Sequence, residues 1–427
     1  MNHSCRLVAL ALLALSGACT SRQNDEVVIR YMAWGNPQQL AIERQLCEQF
    51  SAQHPGITVR FLQVPASAYQ NKMIVMLASR TAPDVMRVDQ YVFPSLVGKD
   101  YFQALDRFVA DDPGFSLDDY LELTTDECRV NGVLYGLNVL FGAPIIYYNK
   151  TLVSAAGLED PYALWKRGEW TWDAFLHYAK SMTTYDANGR PKTFGVYINH
   201  FPAQLAVIYA FGGDIMDESR QKVVMDRGRA RDAWQFLVDL RYKYRVSPSP
   251  SQAANAVFGF DSGKLGMTID WMGLTPRLRE TATFFEWDVV PIPLSPGGTT
   301  VVKGNQIVMN RDSKHQDAAW QFMKFLTSES TERLLYIQLR RSFPTRKDLA
   351  YSEEFLRSEL PPYQMEVFVE SVGNGRTLPI TPRWNEWTSA FNSGIDSLMA
   401  GVDTDVDKAL KEATRRANDA LAVREGL

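Results

Sequence analysis

The chain has 427 residues, with 45 basic residues against 49 acidic ones and a formal net charge of −4 at pH 7. Because the chain has no basic excess, its composition argues against a nucleic-acid partner. The length is large for a single hydrophobic core and favours two domains.

The N-terminus has the order of an export signal. Arg6 supplies a positive charge, and the apolar run 7–15 has the length of a signal-peptide core but is too short to span a bilayer. The next residues, Leu15-Ser16-Gly17-Ala18-Cys19, resemble a bacterial lipobox; an ordinary signal peptide cut near Ala18 is the alternative. We therefore expect a signal peptide over 1–18, then a lipidated Cys19 with a polar tether over 19–26. The protein would be exported and lipid-anchored at the cell envelope.

The first segments after this leader predict a β–α–β unit. Residues 27–33 and 57–62 alternate apolar and polar side chains, as half-buried strands do. Between them, Ile42, Leu46 and Phe50 recur at helical spacing. Such a unit predicts parallel strands with a right-handed crossover. A helix over 68–79 and a strand over 84–89 extend the unit to an open parallel sheet.

The rest of the chain repeats this alternation with more aromatic residues. Apolar helix faces occur over 233–244 and 319–326, and strands are predicted at 264–270, 288–291 and 301–309. The end of the chain, over 391–417, has helical periodicity. Since helix follows strand through both halves, the pattern favours two doubly wound sheets. Strands that return late in the chain predict interleaved domains joined by several crossings.

Two cysteines after the leader, Cys47 and Cys128, leave their redox state open. An exported location permits them to form a disulfide. Cys47 lies on a helix face with apolar neighbours, however, which favours a buried free thiol equally. The sequence does not show whether the two Cα atoms lie close enough to pair.

Patterns typical of catalysis or metal binding are absent from the sequence. The histidines have no zincin spacing, and there is no Cys-x-x-Cys, nucleophile elbow, P-loop or G-x-G-x-x-G. Nothing singles out a pair of carboxylates as a glycosidase acid and base. Tyr147-Tyr148 resembles the adjacent tyrosines of some ferric-ion binders, but a strand that alternates faces also explains the pair. We expect no catalytic residue, no metal and no cofactor.

Aromatic and polar residues stand together at two predicted strand ends. Trp34-Gly35-Asn36 follows the first strand, and Asp89-Gln90-Tyr91 follows the third. Ligands of open α/β sheets lie beyond the carboxyl ends of the strands. A sugar stacks its C–H faces on aromatic rings and needs Asp, Asn and Gln side chains for its hydroxyls. These clusters therefore favour a sugar site, with ordinary core packing as the alternative for the tryptophans.

Seven segments then carry a family resemblance, in family order. They are FSAQHPGITV (50–59), TAPDV (81–85) with Asp89, GVLYGL (132–137) with YYNK (147–150), WTWD (170–173), FDSGKLGM (260–267), AAWQFMKFL (318–326) and FPTR (343–346). Together they resemble the family 1 extracellular solute-binding proteins, which include the maltose- and other oligosaccharide-binding proteins of ABC importers. Two positions depart from the family: Asn138 replaces a usual proline, and Ala174 replaces an acidic residue after the helix cap Thr171.

The resemblance implies a two-lobed, periplasmic-binding-protein-like (type II) α/β fold with a ligand cleft between interleaved lobes. Lobe one would comprise 27–142 and 303–347, and lobe two 143–302 and 348–427. The implied function is to capture a carbohydrate, as an oligosaccharide, and deliver it to the permease subunits of an ABC transporter. We expect a monomer that contacts the membrane through its lipid alone. The alternatives are a non-carbohydrate solute on the same fold and a polysaccharide-acting enzyme.

The resemblance also assigns residues to the second wall of the cleft. The family places aromatic residues in the segments that hold Trp271 and, beside Arg383, Trp384. Gly304-Asn305 begins the returning strand, where a missing side chain would let the backbone approach ligand. Core packing in lobe two is the alternative for both tryptophans. The expected ligand-binding set is Trp34, Asn36, Asp89, Gln90, Tyr91, Trp271, Gly304, Asn305, Arg383 and Trp384.

Overall fold

The computed structural model describes residues 26–198, 200–254 and 257–422. The signal peptide, Cys19 and the tether up to residue 25 lie outside the described residues. The strands are β1 Val27–Trp34, β2 Ile57–Val64, β3 Val85–Asp89, β4 Arg129–Val130, β5 Val133–Leu134, β6 Gly136–Gly142, β7 Ile145–Asn149, β8 Thr184–Tyr185, β9 Pro191–Tyr197, β10 Leu265–Asp270, β11 Trp287–Val290, β12 Thr300–Met309 and β13 Gly375–Thr377.

The helices alternate with these strands along the chain. They are α1 Pro37–Gln53, α2 Ala66–Ala78, α3 Phe93–Gly98, α4 Asp106–Ala110, α5 Glu122–Asp126, α6 Lys150–Ala155, α7 Pro161–Lys166, α8 Trp172–Ser181, α9 Phe201–Ala210, α10 Gly228–Tyr242, α11 Pro250–Ala253, α12 Thr275–Thr281, α13 Gln316–Leu326, α14 Glu329–Glu332, α15 Lys347–Ala350, α16 Glu353–Leu356, α17 Glu366–Gly373, α18 Trp384–Met399 and α19 Val406–Ala422. None of the helices in the described ranges is both long enough and apolar enough to cross a bilayer.

The first sheet has the strand order β13-β12-β3-β1-β2, with β6 also paired to β12. β1 runs parallel to β2 and to β3, which confirms the predicted β–α–β unit. β12 runs antiparallel to both β3 and β6. The N-terminal strands are therefore parallel, as predicted, and the returning strand β12 makes the sheet mixed, because it enters directly from the other half of the molecule rather than through a crossover helix.

The second sheet has the order β11-β7-β10-β9-β8 and is also mixed. β10 runs parallel to β9, whereas β7 is antiparallel to both β10 and β11. The helix α8 next to this sheet begins at the expected cap, where the Thr171 hydroxyl accepts a hydrogen bond from the Ala174 backbone amide at 3.3 Å. One hydroxyl thus satisfies one of the free amides at that helix end without a partner carboxylate.

Helices cover the sheets and divide the interior into separate cores. Phe50 of α1 and Phe322 of α13 pack on one face of the first sheet, and Met73 of α2 packs on the other. Around the second sheet, Trp234 of α10 and Phe391 of α18 lie fully buried in another core. The molecule is thus a two-lobed α/β protein, and the first and second lobes are named here for the sheet on which each is built.

Two connections pass between the sheets close together. β12 pairs with β13 through Thr300–Val302 and then, from Lys303 onward, with β6. β6 in turn is followed after two residues by β7 of the second sheet. β6 and β12 therefore lie side by side where the chain passes between the two sheets. The assignment of every other segment to a lobe, with the boundaries given above, stays a prediction.

The cysteines Cys47 and Cys128 are both free and buried in the core of the first lobe. Burial raises the pKa of each thiol far above its ordinary value. Of the two possibilities that the sequence left open, the structure shows the unpaired, inert thiol.

Candidate ligand-binding cleft

Two adjoining cavities lie beyond the carboxyl ends of β1 and β3. The larger has a volume of about 240 Å³ and is lined from the second lobe by Trp271 and from β12 by Lys303, Gly304 and Asn305. The smaller has a volume of about 160 Å³ and is lined from the first lobe by residues that include Trp34, Asp89 and Tyr91. Asn385 of α18 reaches the smaller cavity from the second lobe. The two lobes therefore share the walls of this cleft.

A carboxylate, an ammonium group and an amide meet between the two cavities. The Lys303 Nζ lies 3.2 Å from one Asp89 carboxylate oxygen and 3.4 Å from the other. In the orientation that satisfies both of its groups, the Asn305 side-chain amide donates to Asp89 Oδ2 at 3.3 Å. Burial alone would lower the pKa of Lys303, but Asp89 and Tyr91 outweigh that effect and raise it. The site therefore offers charged donors and acceptors side by side.

The first lobe supplies an aromatic platform that is held rigidly. Trp34 ends β1 and packs against Tyr69 with ring centroids 4.7 Å apart. The Arg87 guanidinium lies 4.3 Å from the Trp34 ring and is fixed by Glu43 at 2.7 Å. Arg341, which lines the larger cavity, binds the same carboxylate at 2.9 Å. Burial would raise the pKa of Glu43, but the two arginines lower it overall, so this triad stays ionised.

The lobes touch through a pair of stacked rings. Tyr91, just after β3, and Trp384, the first residue of α18, are parallel to within 5° with centroids 5.2 Å apart. Lys303 Nζ lies 4.3 Å from the same Tyr91 ring. Trp384 is 4% exposed and packs edge-on against Trp387. Trp384 thus belongs to the core of the second lobe. It contacts Tyr91, and Tyr91 lines the smaller cavity.

The second lobe presents Trp271 at the end of β10. Its ring is half-buried and lies 5.5 Å from the ring of His200. The Trp271 carbonyl accepts a hydrogen bond from the Tyr147 hydroxyl at 3.2 Å, which fixes the backbone at this strand end. Tyr147 and Tyr148 are both buried, consistent with their place in a strand covered on both faces. Trp271 is therefore the aromatic residue of this lobe that lines the larger cavity.

Besides Trp384, three predicted site residues have side chains outside these cavities. Asn36 is exposed and caps α1, accepting from the Gln39 amide at 2.9 Å. Gln90, in the turn after β3, is buried and donates to Glu127 at 2.6 Å. Arg383 donates through Nε to the Ala420 carbonyl at 2.9 Å and faces a different groove.

Gly304 lies in the cleft for a reason that the sequence did not indicate. A Cβ atom at this position would lie 2.0 Å from the Asn138 side-chain oxygen. Asn138 donates to the Thr124 carbonyl at 3.0 Å and to Glu127 at 3.1 Å. Burial raises the pKa of Glu127 to about 7, although its hydrogen bonds from Asn138 and Gln90 act to lower it. Packing against Asn138 therefore already requires a glycine at this position, and the expectation that Gly304 also lets the backbone approach ligand stays a prediction.

Sequence reasoning missed Lys303, Gln39 and Arg341, all of which line the larger cavity. Lys303 directly precedes the predicted pair Gly304-Asn305, and that position was a signal that could have found it. No motif or spacing in the sequence around Arg341 indicates that it lines the cleft. Among the residues that the structure describes, no group of three or more His, Cys, Asp or Glu side chains is placed to hold a metal ion.

The chain matches one protein family and is similar to several known binding proteins. The family model for bacterial extracellular solute-binding proteins matches residues 34–332. A putative binding protein of Brucella abortus is 23% identical over 422 residues, which cover 97% of both chains. An ABC substrate-binding protein of Listeria monocytogenes in complex with cycloalternan superposes with a TM-score of 0.83 at 23% identity, covering 94% of this chain and 100% of that one. A maltose-bound protein of T. maritima gives a TM-score of 0.75 at 25% identity, covering 92% and 99% of the two chains.

Proposed function

Because the chain belongs to the bacterial extracellular solute-binding protein family, we propose that it captures an oligosaccharide in the cleft and delivers it to an ABC importer. The observation that carries this proposal is the group formed by Asp89, Lys303 and Asn305 between aromatic rings of both lobes. Cycloalternan and maltose are the ligands of the two similar solved structures, which supports a carbohydrate here.

The chemistry of the cleft suits a neutral sugar. The Asp89 carboxylate and the Lys303 ammonium neutralise each other, so the site offers strong donors and acceptors without an excess of either charge. Trp34 and Trp271 supply flat apolar surfaces from opposite lobes. Sugar hydroxyls need the charged donors and acceptors, and sugar C–H faces need the flat aromatic surfaces. The proposed contacts are therefore these four residues with Tyr91, Gly304 and Asn305.

Capture would follow from closure of the lobes. A ligand that contacts both walls shifts the equilibrium between open and closed forms by its differential affinity for the closed one. The Tyr91–Trp384 stack is one contact that joins the two lobes. The closed lobes then present a joint surface to the membrane subunits of the importer. The proposal assigns no catalytic residue and no cofactor, and it treats the protein as a monomer.

A thermal-shift screen against maltose, maltotriose, cycloalternan and unrelated oligosaccharides tests the proposal. A ligand present at a hundred times its Kd stabilises the folded state by about 2.7 kcal/mol. A panel that never stabilises the protein, while amino acids or polyamines do, would support the same fold with a non-carbohydrate solute. Turnover of glycans would support the enzyme alternative.

Asp89→Ala is the sharpest single variant for this site. A hydrogen bond to a buried charged group contributes about 1.5–3 kcal/mol, so the affinity for the sugar should fall by about ten- to a hundredfold. The matched control is Asp118→Ala, an exposed carboxylate of the first lobe. Sugar affinity that is unchanged in a folded Asp89→Ala variant would remove Asp89 from the site.

We also propose that the protein is exported and anchored by lipid at Cys19. The support is the order of positive charge, apolar run and lipobox-like sequence, together with a family described as extracellular. Wild-type protein should fractionate with membranes and incorporate labelled palmitate. Cys19→Ser should release it or stall its processing, whereas membrane association that survives this substitution would contradict the lipid anchor.

A further inference from the structure

A second concave surface lies between the lobes, beside the Tyr91–Trp384 stack. It is a groove of about 630 Å³. Its wall from the first lobe is the end of α3, with Ser95 and Lys99, and its wall from the second lobe includes Arg220 and Arg383. The helix α3 begins two residues after Tyr91, and Arg383 directly precedes Trp384. The shape of this inter-lobe groove is therefore coupled to the contact that joins the lobes.

The inter-lobe groove is strongly cationic. Three of its lining residues, Lys99, Arg220 and Arg383, carry positive charge, and none of the lining residues within the described part of the chain is acidic. The acid next to Lys99 in sequence, Asp100, pairs with Arg311 instead. The chain as a whole has more acidic than basic residues, so a carboxylate-free patch of three cations is not a consequence of composition. Such a patch attracts carboxylates.

Apolar residues also line the inter-lobe groove. They are Pro382, Leu421 and Ala422. A free inorganic anion would leave this apolar surface uncovered. A peptide segment in which acidic side chains alternate with apolar ones would satisfy both parts of the surface.

We propose that the inter-lobe groove binds an acidic-apolar segment of a protein partner and does so in the closed form. Lys99 comes from the first lobe and Arg220 and Arg383 from the second, so the three cations can engage one segment together when the lobes are apposed. The partner thereby distinguishes closed from open protein. That the partner is a membrane subunit of an importer rests on the proposed function; the binding itself does not.

A membrane surface is the less suitable occupant. The cations line a concave surface, and the Arg383 side chain is half-buried and held by the Ala420 carbonyl. A flat layer of anionic headgroups could not enter the inter-lobe groove to meet all three cations, whereas an extended peptide could.

Fluorescence anisotropy with a short labelled peptide of alternating Glu and Leu tests the proposal directly, on protein lacking residues 1–19. The site variant is Lys99→Gln/Arg220→Gln/Arg383→Gln. The matched control, with the same change in net charge, replaces three exposed cations elsewhere: Arg60→Gln/Lys192→Gln/Lys314→Gln. Exposed ion pairs contribute modestly, so together the site substitutions should weaken peptide binding about tenfold. The control should change it less than about twofold, and binding should weaken as salt is added.

Small-angle X-ray scattering supplies a second readout. A segment that bridges the lobes should lower the radius of gyration of the wild-type protein and not that of the site variant. The proposal is overturned if the two triple variants behave alike, or if a Gln–Leu peptide binds equally well. Binding to phosphatidylglycerol vesicles in place of the peptide would also overturn it. Peptide binding that is seen only after residues 423–427 are deleted would overturn it as well, because the groove would then be the binding site of the chain's own C-terminal residues.

The two assays test the sugar proposal and the peptide proposal independently. The anisotropy assay contains no sugar, so a protein that binds no carbohydrate can still show the predicted peptide binding. The site variant should keep its thermal shift with any sugar that stabilises the wild type, because its three side chains lie outside both cleft cavities.

Discussion

Gly304→Ala should destabilise the protein through Asn138 rather than through the loss of a ligand contact. The added Cβ would lie 2.0 Å from Asn138 Oδ1 and 2.6 Å from its Nδ2, so the amide must move. Overpacking of this kind costs about 1–3 kcal/mol. Displacement also weakens the hydrogen bonds from Asn138 to Thr124 and Glu127, at about 0.5–1.5 kcal/mol each. The free energy of unfolding should therefore fall by about 2–6 kcal/mol.

Urea denaturation followed by tryptophan fluorescence measures this change. The control is Gly98→Ala, where an added Cβ would meet no atom within 4 Å, and its stability should stay within about 0.5 kcal/mol of wild type. In an Asn138→Ala background the space is already free. Gly304→Ala should then cost little stability, so the double-mutant cycle should show a coupling close to the whole wild-type cost, about 2–6 kcal/mol.

Two results would refute this reasoning. One is a Gly304→Ala variant as stable as wild type but with weaker sugar binding, which would restore ligand approach as the role of the glycine. The other is a loss in the free energy of unfolding from Gly304→Ala that is the same with and without the Asn138 side chain. That result would locate the strain elsewhere in β12.

The remaining predictions concern the second wall of the cleft and a buried acid. Trp271→Ala should weaken sugar binding about three- to tenfold in titration calorimetry with little loss of stability. The control Trp287→Ala removes a side chain that is 2% exposed and should lower the free energy of unfolding by about 3–5 kcal/mol. A large loss of stability in Trp271→Ala with normal sugar binding would place Trp271 in the core. Burial raises the pKa of Glu127 to about 7. Its contribution to stability is therefore complete below its unfolded pKa of about 4.3 and is lost, by about 4 kcal/mol, as the pH rises through about 7. The difference in free energy of unfolding between Glu127→Gln and wild type should therefore shift in favour of the variant between pH 5 and pH 8. A Glu48→Gln control, exposed on α1, should show no such shift, and a flat difference for Glu127→Gln would contradict the assigned pKa.

Local pattern was sufficient for the first part of the cleft. Alternation over 27–33 and 57–62 identified two strands that the structure pairs in parallel from Val27 with Ile57 to Trp34 with Val64. Trp34 and Asp89 could be named together because the carboxyl ends of parallel strands lie at one edge of a sheet, and β1 and β3 are neighbours. In this region the spacing of side chains along a strand and the direction of the strands decide the geometry.

Other features could not be read from any single segment. The direction of β12 sets Asn305 opposite Asp89 and thereby brings Lys303 to the carboxylate, although the two residues lie 214 positions apart. Gln90 stands between two cleft residues, yet its side chain is buried against Glu127. Such contacts depend on pairing between distant strands, which the periodicity of either strand alone leaves undetermined.

The sequence by itself determined the alternation of strands and helices, the ordered segments shared with a solute-binding family, and the aromatic and acidic residues at the first strand ends. These follow from hydrophobic periodicity and from side-chain chemistry, which act over a few residues. The tertiary structure alone decided that Trp384 stacks on Tyr91 across the lobes, that Asn138 occupies the space above Gly304, and that three separate cations share one groove. The physical reason is that close packing and sheet register bring together residues remote in sequence, and their contacts are fixed when the whole core forms.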